Sequence, residues 1–330
     1  MKIAIVGFPG CGKSTCFKAI TSLDPAKAHL GAVKIPDPRL EKLKNFFNPK
    51  KLTHAEIIFR DLPGFRISDI KEIEALLEVL GMFSGRDPVK DKEDMDLEFM
   101  LADLEIINKR LPSLEKELQQ EKTREKSLEK EALLKCRRLL EGQNPLRAAE
   151  LAPLEKKAIR GFQFLSEKPL FILGNIEEKD TKTDAVRKLE IYSKEKNFKS
   201  IEFCAKLEAE ITDLEDFEKD AFLKEMGLKE TARDRVISLA YGALGYVTFF
   251  TTRGSETKAW PVKKGTTAVE AAGKIHSDMQ KGFIKAEVIN LSDLESCGSL
   301  QEARKKALLK LEGKDYKIQD GDIIDFRFNV

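Results

Sequence analysis

The chain is poor in the residues that build several common kinds of functional site. Its 330 residues include only three histidines, five cysteines and one tryptophan. His29, His54 and His276 are scattered, and none stands beside a cysteine, which argues against a zinc centre. Cys11, Cys16, Cys136, Cys204 and Cys297 form no CxxC pair and no short-spaced framework, so reduced thiols in a cytoplasmic protein are the expectation. No run of 18 apolar residues occurs, and the sequence enters directly into Lys2-Ile3-Ala4-Ile5-Val6-Gly7, a strand pattern and not a signal segment. A membrane partner is therefore not expected. Charge of one sign is also missing: 58 Lys+Arg face 56 Asp+Glu, for a net of +2. That balance by itself points to no nucleic-acid partner.

Apolar and charged residues are both plentiful. A hydrophobic fraction of 42% is ample for packed cores, and 35% charged residues imply long solvated helices. The length suits two or three domains. Residues 1–94 alternate short apolar runs with Gly/Pro turns, an α/β texture: Ile3–Val6, Ala32–Ile35, and Ala55–Phe59 before Asp61-Leu62-Pro63-Gly64. Residues 95–165 are helical and highly charged. Leu97, Leu101, Leu104, Ile107, Leu111, Leu114 and Leu118 recur at steps of three and four. With Gly142-Gln143-Asn144-Pro145 as the turn, this reads as an antiparallel helical hairpin returning over Leu146–Leu165. Its first arm would run about 45 residues, or roughly 65–70 Å, with Pro112 as the place for a kink. Lys116–Arg138 reads as a solvated helix face in preference to an RNA contact. Residues 166–245 resume the α/β pattern, with strands at Pro169–Asn175 and Ile201–Lys206. Residues 246–330 form a compact α+β module.

One motif carries specific chemistry. Gly7-Phe8-Pro9-Gly10-Cys11-Gly12-Lys13-Ser14 fits GxxxxGK[ST], preceded by an apolar strand and followed by the helix-like Thr15–Ile20. Glycines let successive backbone N–H groups turn inward on phosphate oxygens, and a helix N-terminus adds positive potential. Gly10, Cys11, Gly12 and Thr15 belong to this cradle. Lys13 is expected to reach the β- and γ-oxygens, and the Ser14 hydroxyl to coordinate Mg²⁺. Asp61 and Gly64 form a DxxG element, placing a carboxylate near the metal and an N–H near the γ-phosphate. Asn175 to Glu178 reads N-x-x-E where GTPases carry NKxD, which weakens a claim for guanine. Cys204-Ala205-Lys206 stands where they carry their S-A-K loop. No acid–base partner is identifiable for His54 or His276, so both read as structural. Cys11 reads as a small tolerated side chain, and Trp260 as a packing residue.

Taken together, the residues resemble the Obg-like ATPase family, the YchF proteins, a branch of the translation-factor GTPases. The strongest likeness lies in Arg253–Trp260, Ala271–Asp278, Lys281–Ile289, Glu312–Tyr316 and Phe326–Val330, which are similar to the family's ubiquitin-like TGS-type module. Pro36–Leu40, Leu101–Leu104 and Ala205–Glu210 match other family signatures. The resemblance implies a P-loop NTPase G domain over 1–94 and 166–245, interrupted by the helical hairpin of 95–165, with the TGS-type module at 246–330. It also implies ATP, or ATP as well as GTP, read through Asn175 and Glu178. Mg²⁺ would be the cofactor, the ribosome or RNA a partner, and the chain is expected to be a monomer.

This sequence departs from the family around the γ-phosphate. Pro25 stands where the family carries a metal-binding Thr, and the segment after Gly64-Phe65 is shortened. A third shortening precedes Asp87-Pro88-Val89, and the helical spacing of Ile73, Leu76, Leu77 and Leu80 puts a distorted or replaced strand there. The expected activity is slow NTP hydrolysis by a ribosome- or translation-associated regulator. The alternative is a non-hydrolysing scaffold that binds RNA or protein through the hairpin and module while nucleotide stabilises it. A small-molecule kinase is a weaker third reading, since no acceptor-binding lid is apparent.

Overall fold

A computed structural model describes residues 1–62, 72–83, 85–177, 183–225 and 230–329. The chain divides into two compact units, Met1–Ala32 with Ile58–Arg233, and Val33–Ile57 with Asp234–Val330. Among the described residues no helix is long and apolar enough to cross a membrane.

The first unit is built on a six-stranded sheet. Its strands are β1 (Lys2–Val6), β2 (Leu30–Lys34), β4 (Glu56–Asp61), β5 (Ala75–Gly81), β6 (Leu170–Asn175) and β7 (Ser200–Phe203), in the order β2-β4-β1-β5-β6-β7. β1 pairs in parallel with both β4 and β5, β5 with β6, and β6 with β7. The C-terminal ends of these strands therefore share one edge, where open α/β sheets bind their ligands. Helices α1 (Lys13–Thr21), α6 (Asp184–Glu195), α7 (Ala205–Thr212) and α8 (Asp216–Glu225) complete the α/β part.

The expectation of a distorted or replaced strand near Leu76 is corrected. β5 is regular, and all seven of its residues are buried. A parallel strand covered on both faces is apolar almost throughout, here with Glu78 as the exception, so its apolar residues satisfy a helical spacing as easily as a strand one.

The helical arm also differs from expectation. α3 (Pro88–Gln120) is one helix of 33 residues with Pro112 inside it, about 50 Å long at 1.5 Å per residue. It starts where Asp87 accepts from the Val89 and Lys90 N–H groups and Pro88 occupies the first turn. The reversal falls at residues 121–123, and the returning helix is α4 (Arg124–Glu141), capped by Thr123. Arg110 meets Glu129 at 2.7 Å and Lys130 meets Glu115 at 2.8 Å across the pair. Gly142–Pro145 instead ends α4, ahead of a short 3-10 turn and α5 (Pro153–Ile159). The Gly/Pro cluster drew the turn to the wrong place, because a side-chain cap on Thr123 suffices to start a helix without either residue. Ile107, Leu111 and Leu114 form the buried seam with Leu133 and Cys136, whereas Leu97 and Leu101 are exposed. Near its start α3 turns Met95, Phe99 and Ala102 towards the sheet instead, so the stripe changes face along the helix.

The second unit carries the other sheet, ordered β11-β10-β12-β8-β9-β3. Its strands are β3 (Lys51–Thr53), β8 (Tyr246–Arg253), β9 (Glu256–Lys263), β10 (Phe283–Asn290), β11 (Lys310–Glu312) and β12 (Asp322–Phe328). Helices α2 (Pro38–Phe47), α9 (Ala232–Ala243), α10 (Ala268–Ile275), α11 (Ser277–Lys281), α12 (Leu291–Cys297) and α13 (Leu300–Lys305) accompany it. Residues 33–57, placed by sequence with the first domain, belong to this unit. β3 pairs with β9, and Arg39 holds Asp37 and Asp320 while lying over the Phe250 ring. His54 meets the Ile35 carbonyl, His276 accepts from the Asp278 N–H, and Trp260 stacks on Phe249 while donating to Thr251. All three serve packing or local structure.

Behind the edge where the strands end, β5 buries a charge cluster. Glu78, in register with Val6, is fully buried with Lys92, whose ammonium lies 3.7 Å from it and 2.5 Å from Asp96. Arg147 reaches the other Asp96 oxygen at 2.5 Å. Neither Glu78 oxygen has a hydrogen-bond partner among the described residues, and burial pushes its pKa up to about 8 against the attraction of Lys92. The folded state thus holds a proton that the unfolded chain releases near 4.5. Stability from that proton is complete below pH 4.5 and is lost as pH rises through about 8. Glu78→Gln mimics the protonated side chain, and Lys92 keeps Asp96. The variant should match the parent in denaturant midpoint at pH 5 and exceed it at pH 8.5. A difference that does not change with pH would contradict this.

Candidate nucleotide-binding site

The phosphate loop follows from where β1 ends. β1 runs into Gly7–Gly12, and α1 begins at Lys13 with Gly12 as its N-cap. Gly12 has φ +95°, and a Cβ there would fall 2.1 Å from the Asn175 Nδ2 atom. Only glycine fits both the left-handed backbone and that approach. The Cys16 N–H donates to the Gly12 carbonyl at 2.9 Å, closing the first helical turn.

Asn175, the last residue of β6, ties the loop down. Its Nδ2 donates to the Cys11 carbonyl at 3.0 Å, and its Oδ1 accepts from the Ala205 N–H at 3.1 Å. One carboxamide thus joins the phosphate loop to the turn between β7 and α7. Asn175 is itself buried. Among the described residues its second N–H and second Oδ1 lone pair have no partner, which leaves both for a ligand.

Beside this clasp opens a cavity of about 560 Å³, lined by Gly10, Gly12, Thr15, Phe83, Asn175, Ile176, Glu177, Cys204, Ala205 and Lys206. Six of the sequence-derived residues meet here: Gly10, Gly12, Thr15, Asn175, Cys204 and Ala205. Lys13 lines a neighbouring recess of about 210 Å³ with Leu62, Met95 and Glu98, and its ammonium donates to the Gly7 carbonyl at 2.6 Å and the Phe8 carbonyl at 3.2 Å. Ser14 is exposed on the first turn of α1. Cys11 is 1% exposed, so it faces the core and enters the site through its carbonyl. Burial raises its thiol pKa, with Lys13 and Arg86 opposing, which keeps it a thiol and inert. Gly64 and Glu178 lie outside the described residues.

Asp61 ends β4 opposite Ile5. It is 3% exposed, and its Oδ1 has no hydrogen-bond partner among the described residues. A buried carboxylate oxygen without a partner is costly unless a cation or ordered water completes it. That is what a metal-facing acid requires.

Phe83, Ile176, Glu177, Lys206 and Arg86 were not singled out by sequence. Phe83 and Arg86 follow β5, whose strand character the spacing concealed, and no local motif marks either. Ile176 and Glu177 sit at the unassigned positions of N-x-x-E. Lys206 belongs to the Cys204-Ala205-Lys206 loop, so its placement alone could have identified it.

Three comparisons bear on this geometry. Residues 246–329 match the YchF GTPase C-terminal family model, described as a protein of unknown function (DUF933). The chain is 36% identical over 361 positions to the ribosome-binding ATPase YchF of Bacillus subtilis, covering 99% of this chain and 98% of that protein. It is 35% identical over 364 positions to the protein of that name from Escherichia coli O157:H7, covering 100% and 99%. Both alignments are longer than the 330-residue chain, so the relatives carry segments with no counterpart here. The YchF GTPase structure from Schizosaccharomyces pombe superposes with a TM-score of 0.87 at 25% identity, over 99% of this chain and 97% of that one.

The clasp generates a prediction. Asn175→Ala removes a donor and an acceptor, leaving the buried Cys11 carbonyl and Ala205 N–H unmatched at about 1–3 kcal/mol each. ADP affinity should fall about tenfold to a hundredfold by calorimetry. Unchanged affinity would show that the phosphate loop holds its shape without Asn175.

Proposed function

The chain belongs to the YchF family, and from that premise we propose that it is a nucleotide-dependent, ribosome-associated regulatory protein that binds ATP, or ATP as well as GTP, and hydrolyses it slowly. The observation that carries the proposal is the phosphate loop clasped by Asn175 beside a cavity of ligand-binding size. On this reading the N–H groups of Gly10 to Ser14 cradle the α- and β-phosphates. Lys13 exchanges its contacts with the Gly7 and Phe8 carbonyls for the β- and γ-oxygens. Phe83 and Ile176 supply apolar walls for the base, and Asn175 acts first as a clasp. Base selection then falls on the remaining Asn175 valences and on Glu178.

The donor set fits Mg²⁺, a hard cation that takes oxygen ligands. Ser14 offers an exposed hydroxyl at the start of α1, and Asp61 a buried, unpartnered oxygen suited to holding a coordinated water. The bound ion would draw charge from the β- and γ-phosphoryl oxygens. Pro25 offers no hydroxyl ligand. It lies in a turn where the Lys27 and Ala28 N–H groups donate to the Asp24 carbonyl. Losing one preorganised electrostatic contact commonly costs about 10²–10³ in rate, the basis for slow hydrolysis here.

In the second unit, β8 and β9 form a hairpin, α10 follows, and β12 lies parallel to β8. That arrangement supports a ubiquitin-like, TGS-type module at 246–330, which is assigned the ribosome- or RNA-facing role. The test is co-sedimentation with purified ribosomes in ATP, GTP, ADP or no nucleotide. Pelleting should depend on nucleotide, ATP should act at least as well as GTP, and Lys13→Ala should lose the dependence. Pelleting indifferent to nucleotide would contradict the proposal. A hundredfold preference for GTP, about 2.7 kcal/mol, would contradict the reading of the base.

A further inference from the structure

Arg86 stands against the phosphate loop, and no motif announces it. β5 lies next to β1 in the sheet, so the turn after β5 emerges beside the loop after β1. The Arg86 N–H donates to the Phe83 carbonyl at 3.2 Å, closing that turn, and Asp87 then caps α3. The side chain is held at two points. Nη2 donates to the Pro9 carbonyl at 2.6 Å, and Nη1 meets Asp91 Oδ2 at 3.2 Å. Its guanidinium covers Gly10 so closely that a Cβ there would fall 2.9 Å from Nη2. Gly10 also lines the nucleotide cavity. The Arg86 side chain is 29% exposed, shielded enough to sharpen its charge and open enough to meet a ligand.

A guanidinium carries five N–H donors, and its two contacts among the described residues leave three. Its planar fork suits phosphoryl oxygens better than an ammonium does. From this placement we infer that Arg86 is a built-in arginine that contacts the γ-phosphoryl oxygens of bound ATP, which ADP lacks, and stabilises the charge that develops there during hydrolysis. The inference rests on the nucleotide-binding reading above. The water oxygen bonds to the γ-phosphorus as the bond from that phosphorus to the bridging oxygen breaks. ADP leaves with the bond pair, and the proton released by water passes to solvent or phosphate. The charge Arg86 supplies would offset part of what Pro25, with no hydroxyl ligand, does not provide.

The alternative is a brace that only shapes the phosphate loop, and the two make different predictions. Arg86→Ala and Arg86→Lys in the full chain should be compared with the parent for ADP affinity, for affinity towards ADP with aluminium fluoride, and for single-turnover ATP hydrolysis. Arg86→Ala should keep ADP affinity within about threefold. It should lose about a hundredfold or more in hydrolysis and in the gain in affinity that aluminium fluoride gives. Added guanidinium should restore part of the rate, and Arg86→Lys should fall between. Hydrolysis and fluoride-complex affinity within threefold of the parent would overturn the proposal. So would an equal loss of ADP affinity and rate without guanidinium rescue, the mark of a brace. If the parent hydrolyses too slowly to follow, the fluoride-complex affinities decide. A parent that binds neither ADP nor ATP would instead overturn the nucleotide-binding reading itself.

Discussion

The Asn175 carboxamide joins segments far apart in the chain through two hydrogen bonds. One goes to the carbonyl of Cys11 in the phosphate loop and one comes from the N–H of Ala205, where α7 begins. Both partners are buried backbone groups, and a buried backbone group left unmatched costs about as much as a lost hydrogen bond. The clasp therefore fixes the separation between two loops that would otherwise move independently. Gly12 answers it from the other side, because any side chain there would occupy the space of the Asn175 amide. The cavity exists because these constraints agree.

Sheet order explains the rest of the site. β4, β1, β5, β6 and β7 are neighbours, and Asp61, the phosphate loop, Phe83, Asn175 and Cys204 follow one another at their C-terminal ends. An acid, a cradle, an apolar wall, a clasp and a second loop thus come from consecutive positions along one edge. The buried Glu78–Lys92–Asp96–Arg147 cluster lies one layer behind, linking β5 to α3. Such a cluster is a poor source of stability, since desolvation opposes its attraction. It does fix how α3 leaves the sheet, and α3 begins two residues after Arg86.

Legibility in the sequence followed locality. Gly7–Ser14 could be read because phosphate chemistry demands particular residue types at fixed offsets within eight consecutive positions. Asp61 and Asn175 could be read because each ends an apolar run in the right order. Phe83 and Arg86 could not, since their relation to the phosphate loop runs through the pairing of β1 with β5, which no short stretch encodes. The hairpin reversal at 121–123 was missed for a similar reason. Thr123 caps α4 without Gly or Pro, whereas Gly142–Pro145 advertises a turn that only ends it. Residues 33–57 belong to the second unit through β3 and Arg39, contacts with partners some 200 positions or more further along the chain. The roles read for Gly64 and Glu178 lie outside the described residues.

On the proposed function, ATP occupies the cavity between the clasped phosphate loop and the β7–α7 turn. Photolabelling of the intact chain with 8-azido-ATP, followed by peptide mapping, tests it directly. Label should appear on peptides carrying Phe83, Ile176 and Glu177, or Cys204 to Lys206, and excess ATP should suppress it. Label confined to residues 246–329, or label that excess ATP leaves unchanged, would contradict it.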